Sequence, residues 1–134
     1  MTGTVATPGV SVAIVVHGGR VLMVRRRLPG GELMWQFPAG AVADGESPAD
    51  AAVRETAQET GLAVRAVRLL AERAHPETGR PMSYTACEAV SGEARAADDE
   101  LDAVAWVAHG EIGEYVPYGL FDPVQEYLDG ALLH

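Results

Sequence analysis

Residues 47–61, SPADAAVRETAQETG, fix one element of this chain at both ends. A serine followed by proline suits a helix start. The serine hydroxyl can accept an otherwise orphaned backbone N–H, and proline at the first helical position has no N–H to leave unpaired. Asp50 adds negative charge where the helix dipole is positive. Gly61 fits the left-handed residue that commonly ends a helix. A helix over 48–60 follows. At about 100° per residue, setting Glu55 at zero puts Gln58 near −60° and Glu59 near +40°, one arc of roughly 100°. Ala49, Val53, Ala57 and Thr60 fall on the far side, at roughly 120° to 200°. The spacing therefore predicts a small, apolar face turned to a core. The opposite face presents two carboxylates and an amide, with Arg54 beside them.

The rest of the chain supplies a sheet for that helix to pack on. GVSVAIVVH (9–17) is β-branched and apolar, as a buried strand is. Gly18-Gly19 is a two-residue hairpin signal, and RVLMVRRR (20–27) reads as the return strand. MWQFPAG (34–40) reads as one short strand closed by Pro and Gly, and residues 41–47 as a polar loop. Strand-like segments at 62–74 and 81–91 flank the turn-forming HPETGRP. AVAWVA (103–108) adds a strand, and PVQEYLDGALL reads as a C-terminal helix. No internal repeat or low-complexity linker interrupts the order. Residues 1–134 are therefore expected to form one domain of mixed α+β class, a sheet flanked by helices.

Charge narrows the partners. Asp and Glu number 19 against 10 basic residues, a formal net charge of −9. No basic stripe of the kind nucleic-acid binders carry is visible. An acidic chain can still hold a polyphosphate, because bound cations invert the local electrostatics. All ten basic residues are arginine, whose planar fork suits phosphate oxygens. The N-terminus, MTGTVATPG, has neither the basic region nor the apolar segment of a secretion signal. The longest apolar runs, such as Val10 to Val16, are too short to span a bilayer. Cys87 is the one cysteine and reads as a small buried hydrophobe. A cytoplasmic protein with neither a membrane nor a nucleic-acid partner is the expectation.

Two carboxylates on a helix are by themselves the ordinary equipment of a solvated face. Here Gly40 and Glu46 lie in the preceding loop, which can fold back on the helix. Clustered oxygens from Glu46, Glu55 and Glu59 suit Mg²⁺ or Mn²⁺. No Cys/His set has zinc spacing.

Gly40 to Leu62, GAVADGESPADAAVRETAQETGL, resembles the Nudix box, G-x5-E-x7-R-E-U-x-E-E-x-G-U, where U is bulky and aliphatic. Gly40, Glu46, Arg54, Glu55, Glu59, Gly61 and Leu62 match in register, and the W-x-F-P-x-G lead-in agrees. Thr56 stands where the aliphatic residue is usual, and Gln58 where the first glutamate of the pair is usual. The resemblance implies a MutT-like, Nudix-type α/β/α sandwich with a mixed β-sheet and a catalytic loop-helix-loop. It implies Glu55 and Glu59 as metal ligands, joined by the Gly40 backbone carbonyl and the Gln58 side-chain oxygen. Glu46 and Arg54 would stand behind them, the arginine fixing carboxylate orientation. The implied reaction is Mg²⁺- or Mn²⁺-dependent attack of water on phosphorus in a nucleoside diphosphate linked to a second moiety. Nucleoside triphosphates, ADP-ribose-like compounds and nucleotide sugars all remain open, with the compact chain leaning toward triphosphates. Gln58 removes one negative charge, so the alternative is a weakly active or inert domain that binds a nucleotide as a sensor.

Outside the box, strand alternation puts Arg26 on the opposite face from Arg25 and Arg27, and the resemblance implies a substrate-touching arginine at this strand end, for which Arg26 is the candidate. Trp35 is a candidate to stack on a base or to pack beside Phe37. Tyr84, His75 and Arg80 are candidates for the substrate cleft. The resemblance also implies a further carboxylate from a loop opposite the helix, where Asp98, Asp99 and Glu100 lie. Glu100 is the preferred one, as ligand or general base. Tyr115 to Phe121 is aromatic and suits a pocket wall or a homodimer seam. His17, His109 and His134 are assigned no role.

Overall fold

The computed structural model describes residues 8–132. His134 and most of the N-terminal segment read above lie outside that range. Strands β1 (Val10–His17) and β2 (Arg20–Arg27) form the expected hairpin. Gly18 and Gly19 both take positive φ, +59° and +74°, as a two-residue turn matched to strand twist requires. MWQFPAG does not stay one strand. It divides into β3 (Leu33–Gln36), paired with β2, and β4 (Ala39–Ala41), paired with β1. Pro38 has no N–H to give a ladder, and its carbonyl accepts the Ala13 N–H at 2.8 Å, so the chain changes neighbours there.

The order continues with α1 (Pro48–Thr60), β5 (Ala63–Ala74), β6 (Pro81–Ser91), β7 (Leu101–Ala108), α2 (Ile112–Tyr115) and α3 (Asp122–Leu132). The strands join in the order β3-β2-β1-β6-β5, with β4 also on β1 and β7 also on β2. Only the β1–β6 pairing is parallel among the described strands, which makes the sheet mixed. Alternation along β1 feeds two cores. Val12 and Ile14 pack with Met23, Val124 and Leu128 under α3, whereas Ala13 and Val15 pack with Leu22, Ala52 and Cys87 under α1. Burial pushes the Cys87 thiol up to about 11, in keeping with an inert core residue.

Helix α1 starts and stops as its sequence dictates. The Ser47 hydroxyl accepts the Asp50 N–H at 3.0 Å, and Gly61 turns left-handed at φ 74°. Its orientation corrects the sequence reading. The buried side holds Ala51, Ala52, Thr56, Glu59 and Thr60, whereas Ala57 is exposed and Val53 only half-buried. Glu59 from the polar arc and Thr60 from the opposite one therefore both face the protein, whereas Gln58 stays exposed. Thr56 and Thr60 can be buried because each hydroxyl donates to the carbonyl four residues back, at 2.7 Å. The small side chains of Ala51 and Ala52 then let the helix approach the sheet closely. Helix α2 was not foreseen. Four residues are too few to show a helical period.

Candidate active site

The loop before α1 does fold back onto it, and Arg54 is the tie. Its Nε and Nη2 donate to the two Glu46 carboxylate oxygens, each at 2.8 Å. Nη2 also reaches the Ala41 carbonyl at 3.0 Å, and Nη1 donates to Glu55 Oε1 at 2.8 Å and Gln58 Oε1 at 3.1 Å. Glu46 accepts in addition from the Ala43 N–H at 3.0 Å. Hydrogen bonds from Arg54 and then from that backbone N–H hold the Glu46 carboxyl down at about 2. The Glu46 contact, with smaller help from Glu55, raises Arg54 beyond its ordinary value. One guanidinium thus orients two glutamates, an amide and the loop backbone. Lysine offers no planar fork, so Arg54→Lys is expected to lower turnover about 10- to 100-fold. Wild-type melting behaviour with that loss would show that orientation, not folding, was removed.

Glu59 is 7% exposed, and its Oε1 has no hydrogen-bond partner. Burial first, and then the negative charge of Glu55, push its carboxyl up to about 8. The Ala39 N–H and the Arg26 charge work against that rise. Gly40 lies against Glu55, where any β-carbon would overlap its carboxyl. An orphaned carboxylate oxygen beside a second carboxylate is costly unless a cation joins them. Among the described residues no three acidic, His or Cys side chains converge as a ready metal cage. Mg²⁺ does not need one, since it uses one or two carboxylates and completes its shell with water and substrate phosphate. Glu55 and Glu59 thus fit a divalent cation. Gln58 has its oxygen turned to Arg54 in this arrangement.

The buried Glu59 carboxyl gives the metal-free protein a signed pH dependence. Its folded pKa lies above the unfolded one. The linked stability is therefore fully present below about pH 4.5 and is lost as pH rises toward about 8. The melting temperature without metal should fall between pH 5 and pH 8, and Glu59→Gln should flatten that fall. Differential scanning calorimetry in EDTA checks both.

The loop between β6 and β7 is tied to this centre. The Ala97 N–H donates to the Glu59 carbonyl and the Arg27 N–H to the Glu100 carbonyl, both at 2.9 Å. Arg26 and Glu100, separate candidates in the sequence, meet as an ion pair at 2.5 Å. Asp98 caps its own loop, accepting the Glu100 N–H at 2.8 Å.

A cleft of about 610 Å³, within the range of small-molecule sites, reaches Gly40, the residue packed on the Glu55 carboxyl. Gly40, Ala41, Arg73, His75 and Arg80 line it. Trp35 and Tyr84 sit in its wall, and Trp35 packs edge-on against Tyr115 at 4.9 Å. His75 also organises its own turn, Nδ1 accepting the N–H groups of Glu77 and Thr78. Val116, Tyr118 and Phe121 from the aromatic segment line the cleft too. Sequence reasoning missed Arg73 because β5 pairs irregularly, shifting register between Ala66 and Arg68 and again between Leu69 and Ala71. Each bulge resets which side chains face which side.

Comparison with known proteins agrees with this geometry. The NUDIX domain family matches residues 6–126. An RNA pyrophosphohydrolase from Photobacterium profundum is 40% identical over 68 residues, 51% of this chain and 37% of that protein. One from Photorhabdus laumondii is 44% identical over 64 residues, 48% of this chain and 35% of that protein. The match thus spans little more than a third of those relatives' length. In fold, a NUDIX hydrolase from Nitrosomonas europaea superimposes with a TM-score of 0.76 at 21% identity, covering 92% of this chain and 90% of its own. An ADP-ribose pyrophosphatase from Streptococcus suis gives 0.64 at 22% identity, covering 77% and 75%. Because the family's model matches residues 6–126, most of its length, the chain belongs to the Nudix family.

Proposed function

We propose that the chain, acting as one unit over residues 1–134, hydrolyses a phosphoanhydride bond in a nucleoside diphosphate derivative with Mg²⁺ or Mn²⁺. The observation that carries this reading is the buried Glu59 carboxylate, with an unpartnered oxygen, beside Glu55, on which Gly40 packs. Glu55 and Glu59 would hold the cation, with the Gly40 carbonyl and Gln58 as further donors. When bound, the cation supplies charge neutralisation for the diphosphate and a more acidic water. Arg54 and Glu46 keep the ligands in place. Glu100, released from Arg26, is the candidate to accept the proton of the attacking water, and Arg26 then faces substrate phosphate. Trp35, Tyr84 and Arg80 line the cleft that takes the organic moiety. Among the described residues no helix is long and apolar enough to cross a membrane. A cytoplasmic small-molecule enzyme stays our reading, with homodimerisation left to measurement.

The substrate is a nucleoside triphosphate or an ADP-ribose-like compound. A panel of these, with nucleotide sugars and a 5′-triphosphorylated RNA included because of the relatives' name, should be assayed for phosphate release at millimolar Mg²⁺. Turnover of a panel member that stops with EDTA supports the reading. The second reading, a nucleotide-binding sensor, is favoured by Gln58, whose oxygen is engaged by Arg54 where the family places a carboxylate. Nucleotide binding without turnover of any panel member would establish it instead. Glu100→Gln should cut turnover sharply, and an unchanged rate would place the base elsewhere.

A further inference from the structure

We infer that the end of the cleft away from the carboxylates, at Arg73 and Arg80, binds a second anionic group, so that the preferred substrate carries a phosphate or carboxylate on the moiety beyond its scissile anhydride. This rests on the proposed hydrolytic reading for the position of the anhydride. The first observation is charge. The chain has almost two acidic residues for each basic one, yet no Asp or Glu lines the cleft, whereas three of the ten arginines do. Arg26 is neutralised by Glu100. Arg73 and Arg80 have no carboxylate partner among the described residues.

The second observation is how the two guanidiniums are held. Arg73 donates from Nε to the Tyr84 hydroxyl at 3.1 Å and lies 4.2 Å from the Phe121 ring centroid. Arg80 donates from Nε to the Pro8 carbonyl at 3.1 Å. Both bonds spend Nε and leave the terminal amines, the part of the fork that grips an anion. Arg73 is opposite Met82 in the β5–β6 ladder. Arg80 directly precedes β6, its carbonyl accepting the His75 N–H at 2.8 Å, and both arginines line the same cleft.

The third observation is distance. Arg73, Met82, Val10 and Ala41 are successive partners across β5, β6, β1 and β4. Three inter-strand steps put Arg73 about 14 Å from Ala41 at the metal-site end. That is farther than the two phosphates of one anhydride span, so a separate group must supply the charge.

The test compares ADP-ribose with ADP-ribose 2′-phosphate, which differ by one ester phosphate. Wild-type protein with Mg²⁺ should show kcat/KM at least about 10-fold higher for the phosphorylated compound, the scale of a charge-assisted hydrogen bond. Arg73→Gln and, separately, Arg80→Gln should erase that preference, raising KM for ADP-ribose 2′-phosphate about 10-fold more than KM for ADP-ribose. Arg73 packs on Phe121, so if Arg73→Gln does not fold, Arg80→Gln decides. Equal use of both compounds by the wild type, or equal damage to both in the variants, would overturn the inference. Calorimetric binding of adenosine 2′,5′-bisphosphate against AMP to metal-free protein separates it from the hydrolytic reading. An arginine-dependent preference for the bisphosphate without any turnover would leave the anion site standing and remove the hydrolase. No preference there, with turnover intact, would do the reverse.

Discussion

Glu59→Gln should lower turnover by roughly 10²- to 10³-fold, the several kcal/mol a metal's charge stabilisation supplies, while leaving the fold intact or firmer. The two effects have one origin. Glu59 is buried beside Glu55 with an oxygen that nothing in the chain satisfies. Without a cation, ionising it is unfavourable, which is why its carboxyl sits near 8. An amide of the same shape removes that penalty and removes the ligand too. At pH 8 in EDTA the variant should therefore melt at or above the wild-type temperature. A structural glutamate would behave oppositely, losing stability while sparing the rate. Steady-state kinetics and calorimetry on the same preparation distinguish the two.

Gly40→Ala should be nearly as damaging, by about 10²-fold or more, on the same scale of lost electrostatic stabilisation. The reason is space, not backbone freedom, since Gly40 is not among the glycines with positive φ. A β-carbon there would overlap the Glu55 carboxyl. The backbone cannot retreat easily, because Gly40 pairs with Ser11, a fully buried residue whose hydroxyl is bonded to the Pro48 carbonyl at 2.6 Å. Glu55 must swing away instead, breaking its 2.8 Å contact with Arg54. Metal affinity measured by titration calorimetry should fall in parallel with the rate. A variant with unchanged metal binding would mean that Glu55 has room to move without consequence.

The parts of this structure governed by local rules were legible in the sequence. Ser47, Pro48 and Gly61 set the limits of α1 because capping is decided by neighbouring backbone groups, and Gly18-Gly19 set the first hairpin for the same reason. Family resemblance put Glu46 and Arg54 behind the metal ligands, but their direct pairing across eight residues is seen only in the fold. What the sequence hid depends on tertiary choices. Helix α1 turned Glu59 inward beside Thr56 and Thr60, which can be buried because their hydroxyls bond their own helix. Of the far-side residues, Thr60 is buried, whereas Val53 is half-buried and Ala57 exposed. Pro38 divided one apparent strand between two partners. The meeting of Arg26 with Glu100, 74 positions apart, and the placement of Arg73 after two register shifts need the folded sheet to be seen.

The most direct measurement is the initial rate of phosphate release against Mg²⁺ concentration, using the best substrate of the panel, for wild type, Glu55→Gln and Glu59→Gln. The metal-site assignment predicts saturation in Mg²⁺ for the wild type, abolition by EDTA, and rates near background for both variants at every concentration. Wild-type hydrolysis that persists in EDTA, or variants that saturate with wild-type rates, would contradict it.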